Sequence, residues 1–223
     1  MAQSSWALAW QHLSHHRSSS TSQWQARYTV RGEFSKQIVP NRFVQHLSAD
    51  VDSNALKQDI DQLVQDHGLQ DAVQISLTSM SGEDDFTCTI GRIAEVKYPE
   101  RAYRTPLKCL AGTYLESIIK QYPEYYRWRV LKLPPRTVYS IHHDSINGWE
   151  NHRLHIPVVT NPHAYLTFFE DIVSHDHVDH RDAKMIYLHP NNVYNVNTTS
   201  LHSAGNYGTQ DRIHIVAVKY QSR

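Results

Sequence analysis

Hydrophobic residues recur at helical spacing in two places, both in the first half of the chain. Leu56, Ile60, Leu63 and Val64 mark one amphipathic helix, with Asp52 or Ser53 placed to cap its start and Gly68 to stop it. Leu110, Tyr114, Ile118, Ile119 and Tyr122 mark a second, ended by Pro123. From about residue 126 the pattern changes to short runs rich in Val, Ile, Tyr and Thr, at 126–133, 137–142, 153–160, 164–169, 185–188, 192–197 and 212–219. Loops holding Pro, Asn, Gly and His separate these runs. No helical period interrupts them, so parallel βαβ units are excluded in favour of a mainly β, α+β fold, an antiparallel sandwich or barrel buttressed by helices.

Bulk properties add limits. A chain of 223 residues suits one domain. We divide it into an N-terminal arm (1–45), a helical buttress with the first strands (46–125) and a β core (126–220). Lys plus Arg and Asp plus Glu number 22 each, so no net charge draws the chain to nucleic acid or an anionic membrane. No run approaches a membrane span. Cys88 and Cys109 form no CxxC and read as idle thiols of a reducing compartment. The expected location is therefore cytoplasmic. The first 32 residues lack Asp and Glu but hold Arg17, Arg27, Arg31 and many serines. They read either as an arm anchored by Trp6, Trp10 and Trp24 or as an organelle transit segment.

Histidine stands out, with sixteen copies, and directs attention to metal chemistry. In Tyr139-Ser-Ile-His-His-Asp-Ser145, His142 and Asp144 are two apart, so near a strand end both side chains can reach one ion. His202, between two predicted strands of one sheet, is the best third ligand. Two imidazoles and a carboxylate cover one face of an octahedral Fe(II) and leave three positions for substrate and O₂. Arg212 opens the strand Arg212-Ile-His-Ile-Val-Ala-Val-Lys219 and can grip a carboxylate bidentately. Strand alternation puts Arg153 and His155 on one face and Leu154 and Ile156 on the other. Two basic side chains beside the metal would form an anion pocket. The tract Ser174-His-Asp-His-Val-Asp-His-Arg181 could be a second metal site but reads better as a solvated loop on the rim.

The order Arg127-Trp-Arg129 with Leu133-Pro-Pro135, His142-His-Asp144, Arg153-Leu-His155-Ile-Pro157, His202-Ser-Ala-Gly-Asn206 and Arg212-Ile-His214 resembles the aspartyl/asparaginyl β-hydroxylase branch of the Fe(II)/2-oxoglutarate oxygenases. The likeness runs from about Arg127 to Tyr220. It implies a double-stranded β-helix (a cupin-like jelly roll) with His142, Asp144 and His202 on iron. Arg212 would hold the distal carboxylate of 2-oxoglutarate, and His155, with Arg153, the carboxylate beside the keto group. The implied reaction hydroxylates an aliphatic carbon of a small molecule or peptide, best an amino acid, consuming O₂ and 2-oxoglutarate and releasing succinate and CO₂. Asp144 occupies the position that related halogenases leave open for halide. A non-redox cupin-like binding module is the alternative, opposed by Arg212 and the Arg153/His155 pair. Where the family usually has a glycine before the strand leading to the distal His, this chain has Leu188-His-Pro-Asn-Asn192, which leaves that turn unassigned.

Overall fold

The computed structural model describes residues 42–90, 99–144, 150–169, 172–174, 177–178 and 183–221. These belong to one compact unit, Val39–Arg223. The arm with Trp6, Trp10 and Trp24 lies outside the described residues. So does most of the 174–181 tract, where only the backbones of two short strands are described, Ile172–Ser174 (β9) and His177–Val178 (β10).

Helix α1 spans Ser53–His67, and both of its ends follow from sequence. Asp52 accepts hydrogen bonds from the amides of Asn54 and Ala55, and Gly68 closes the helix at φ 65°. Helix α2 spans Tyr114–Gln121 and is capped by the Thr113 hydroxyl, which accepts from the Glu116 amide at 3.1 Å. The apolar stripes Leu56, Ile60, Leu63 and Leu115, Ile118, Ile119 are buried in one core, each side chain contributing about 1.5–3 kcal/mol. Cys88 and Cys109 are both free. Among the described residues, no helix is long and apolar enough to cross a membrane.

The fold is mainly β, and every strand pairing is antiparallel. Val44–Ser48 (β1), Gln74–Ser76 (β2), Tyr126–Leu133 (β5), Glu150–Val159 (β7), Val193–Asn197 (β12) and Arg212–Gln221 (β14) form a six-stranded sheet in the order β1-β12-β7-β14-β5-β2. Thr137–Val138 (β6), Ala164–Phe169 (β8), Ala183–Ile186 (β11) and His202–Asn206 (β13) form a four-stranded sheet in the order β11-β8-β13-β6. Thr78–Ser79 (β3) and Thr105–Pro106 (β4) make a small ribbon. From β11 to β14 the chain changes sheet at every strand.

Three expectations need correction. The run 137–142 is a strand only over Thr137–Val138, and the run 185–188 is displaced to Ala183–Ile186. His202 does lie in the chain between two strands of one sheet, β12 and β14 of the six-stranded sheet, but the expected runs include no strand at 202–206. It begins β13, a strand of the four-stranded sheet that polar, small His-Ser-Ala-Gly-Asn does not advertise.

The six-stranded sheet has two unlike faces. Trp128, Val130, Leu154, Ile156, Ile215 and Ala217 join the helices in the apolar core. Alternate residues on the same strands, Arg127, Arg129, Arg153, His155 and Arg212, line a cavity of about 330 Å³.

The turn that lacks the expected glycine is made by Asn191, at φ 61°. Asparagine tolerates the left-handed region better than other residues with a Cβ. Here it also bonds reciprocally to the helix start: its Oδ1 accepts from the Ser53 amide at 3.0 Å, and its amide donates to Ser53 Oγ at 2.8 Å. Asn191→Gly should therefore lose about 1 kcal/mol of stability with the hydrogen bond alone. Asn191→Ala, which adds left-handed strain, should lose about 2–3 kcal/mol. Urea unfolding measures both, and equal losses would show that φ at this position carries no cost.

Candidate metal centre

His142 and His202 face each other as an isolated antiparallel bridge between the segment after β6 and the start of β13. The His142 amide donates to the His202 carbonyl at 2.9 Å, and the reverse bond is 2.8 Å. Their rings lie 4.5 Å apart. Asp144 is fixed two residues on, where its amide donates to the Thr198 carbonyl at 2.9 Å. One ligand atom from each of His142, Asp144 and His202 lies within 4.8 Å of the others. Nε2 of His142 is 3.7 Å from Asp144 Oδ1, and Nε2 of His202 is 3.9 Å from Asp144 Oδ2.

The imidazoles are oriented by the same local device. Nδ1 of His142 contacts the Ser140 carbonyl at 2.8 Å, and Nδ1 of His202 contacts the Ser200 carbonyl at 2.9 Å. A carbonyl only accepts, so each Nδ1 carries a proton and Nε2 is the ring nitrogen turned to the cavity. Burial keeps His202 neutral, pulling it down to about 4 although Asp144 opposes that shift. Burial works against ionising Asp144, but Arg153 first, then His202 and His142, hold its carboxyl below the usual value. Two imidazoles and one carboxylate on one side of a cavity fit a divalent transition metal with open positions, and Fe(II) in particular. The exposure gradient agrees: the His142 side chain is 43% exposed, Asp144 11% and His202 7%.

The predicted basic residues reach the same cavity. Arg153 Nε is 2.7 Å from Asp144 Oδ2, a close charge pair that lacks the alignment of a good hydrogen bond. Arg212 is buried, and its Nη2 donates to His214 Nδ1 at 3.0 Å. Nδ1 of His155 is 3.4 Å from the same His214 nitrogen. Burial lowers Arg212 to about 10, which leaves it cationic at neutral pH. Around this pocket Asn206 is fully buried and bonds the Leu133 and Gln210 carbonyls at 2.9 and 2.8 Å. These bonds fix the loop that delivers Arg212 to the start of β14.

Several residues that sequence reading left without a role also belong here. Arg127 sits at φ 54°, with Nε and Nη2 donating to the Thr89 carbonyl at 3.0 and 2.8 Å and Nη1 paired to buried Glu100. It lines the cavity as part of the frame, its charge already answered. Arg129, Gln74 and Tyr139 line the cavity as well. The alternation of Arg127-Trp-Arg129 was the available signal, since it places both arginines opposite buried Trp128.

No protein-family model matches this chain, and no curated protein matches it. Among solved structures, it is similar to AviO1 from Streptomyces viridochromogenes Tue57, with 14% identity over 81% of this chain and 90% of that one, at a TM-score of 0.47. It is also similar to SnoK, a non-heme α-ketoglutarate-dependent carbocyclase from nogalamycin biosynthesis, with 13% identity over 80% of each chain and a TM-score of 0.46. The epimerase SnoN, solved with Fe³⁺, α-ketoglutarate and nogalamycin RO, aligns at 13% identity over 78% of this chain and 77% of that one, with a TM-score of 0.43.

His155 and His214 are buried, and burial holds both well below the ordinary imidazole value, with Arg212 adding to the shift. They are neutral in the folded chain and take up protons only on unfolding. Stability of the metal-free protein is therefore full well above about pH 6.5 and falls as pH drops below it, approaching about 4 kcal/mol per pH unit when His202, which burial also keeps neutral, is counted with these two. Urea unfolding at several pH values between 8 and about 5.5 checks this. A flat profile would mean that these histidines are charged or solvated in the native state.

Proposed function

We propose that this chain is an Fe(II)- and 2-oxoglutarate-dependent oxygenase that hydroxylates an aliphatic carbon, best of an amino acid, free or in a peptide. The carrying observation is that two pre-oriented imidazoles and Asp144 share one cavity with buried Arg212 and His155. In this reading β5–β8 and β11–β14 form a double-stranded β-helix with the metal inside its mouth. The finer placement in the aspartyl/asparaginyl β-hydroxylase branch rests on the order of the sequence motifs.

His142, Asp144 and His202 would hold the iron. With 2-oxoglutarate and O₂ bound, the iron supplies the oxidising power to hydroxylate a C–H bond, with succinate and CO₂ as co-products. The chain's own groups do the rest. Arg212 anchors the far carboxylate of the co-substrate, and His214 sets the direction of that guanidinium. His155 stands beside the carboxylate next to the keto group, with Arg153 close to it and to Asp144. Leu131, Leu166, Val196 and Ala204 line the cavity and keep it poor in water. Phe168 lies 5.9 Å from the His202 ring and limits its rotation.

The test is succinate release from Fe(II), 2-oxoglutarate and O₂ across a panel of amino acids and peptides, with product mass recorded. The expected product is heavier by one oxygen and carries no chlorine in high chloride. Arg212→Ala should weaken 2-oxoglutarate binding roughly 30- to 150-fold while leaving iron bound, because it removes a buried charge-assisted contact. Unchanged 2-oxoglutarate affinity in that variant would remove Arg212 from the site. Bound metal with no succinate release from any panel member would favour the cupin-like binding module.

A further inference from the structure

Among the described residues, Arg129 is a cavity-lining cation whose guanidinium is left largely without partners. Arg129, on β5, is 4% exposed, and its Nε and Nη2 are buried without a hydrogen-bond partner. Its Nη1 makes a long 3.5 Å contact to Gln74 Oε1. Nε and Nη2 are the two nitrogens of one guanidinium edge, the edge that grips both oxygens of a carboxylate in a planar bidentate pair. A buried guanidinium with that edge empty is costly, and here the cost is compounded. Burial disfavours its charge, Arg127 and Arg153 repel it, and Asp144 offsets only part of this. Among the described residues nothing uses the free edge, whereas neighbouring Arg127 is fully engaged by Glu100 and Thr89.

We propose that Arg129, with Gln74 beside it, is a second anion subsite that binds a carboxylate of the primary substrate. This rests on the function proposed above, in which Arg212 takes the distal carboxylate of 2-oxoglutarate. The register separates the two cations. Arg212 pairs with Leu133 and Val216 pairs with Arg129, so the two arginines stand four residues apart along the strands, about 13 Å. Arg129 lies level with His155, which also pairs with Val216, towards Arg153 and Asp144. A co-substrate spanning Arg212 and the metal leaves the Arg129 edge for another molecule. The substrate class is then carboxylate-bearing, and its amide or ester counterparts are rejected, since they leave the guanidinium buried and unpaired.

The experiment uses the full chain loaded with Zn(II) and saturated with N-oxalylglycine, a redox-inert 2-oxoglutarate isostere, so that the co-substrate site is closed. Propanoate, at tenfold excess over its Kd and constant ionic strength, should raise the melting temperature by roughly 3 °C or more, and propanamide should not. Arg129→Gln should lose the propanoate shift, and Arg129→Lys should retain part of it. Without propanoate, Arg129→Gln should melt no lower than wild type, because it removes a buried unanswered charge; a purely structural arginine would give a loss. No shift in wild type, or an equal shift in Arg129→Gln, overturns the subsite. So does loss of N-oxalylglycine binding in Arg129→Gln to the degree seen in Arg212→Ala, which would assign the edge to the co-substrate. Failure of wild type to bind N-oxalylglycine would instead overturn the oxygenase reading itself.

Discussion

The centre depends on one pair of backbone hydrogen bonds, those that His142 and His202 exchange across the end of the four-stranded sheet. The bridge brings two residues far apart in sequence into register, and a shift of one residue on either strand would turn an imidazole away from the cavity. Each ring is then held by the carbonyl two residues earlier, Ser140 or Ser200. Backbone geometry thus settles both which nitrogen faces the cavity and which one donates to a carbonyl. Asp144 follows from the same constraint, since the Thr198 carbonyl fixes its amide just beyond the bridge.

Around this point the six-stranded sheet separates two environments by the two-residue period of its strands. One face is anchored to α1 and α2 by aliphatic side chains, and it supplies the stability. The other gathers arginines and neutral histidines into a space with Asp144 as its acidic lining residue. Such a concentration of cations opposes folding and is tolerated because the apolar face is well packed. The field of such a cavity favours negatively charged groups.

Much of this was legible in sequence because it depends on local period. The 3.6-residue stripe and its caps gave α1 nearly to the residue, and alternation put Arg153 and His155 opposite Leu154 and Ile156. The His-x-Asp spacing marked two of the three residues that the structure brings together. What escaped was set by partners distant in the chain. β13 carries little strand propensity, and its place is fixed by β8 on one side and β6 on the other. Asn191 replaces glycine because Ser53 is there to receive it. Arg127 and Arg129 look alike in sequence, and only Glu100 and Thr89 distinguish the paired arginine from the unpaired one.

The central claim is that two imidazoles and one carboxylate form a metal site, and X-ray absorption on protein loaded anaerobically with Fe(II) tests it most directly. The account predicts one iron per chain, with about two imidazole ligands and oxygen donors in the remaining positions. His142→Ala and His202→Ala should each remove one imidazole contribution from the scattering. Three or more imidazoles, sulfur scattering from Cys88 or Cys109, or a spectrum unchanged in both variants would place the metal elsewhere and contradict the account.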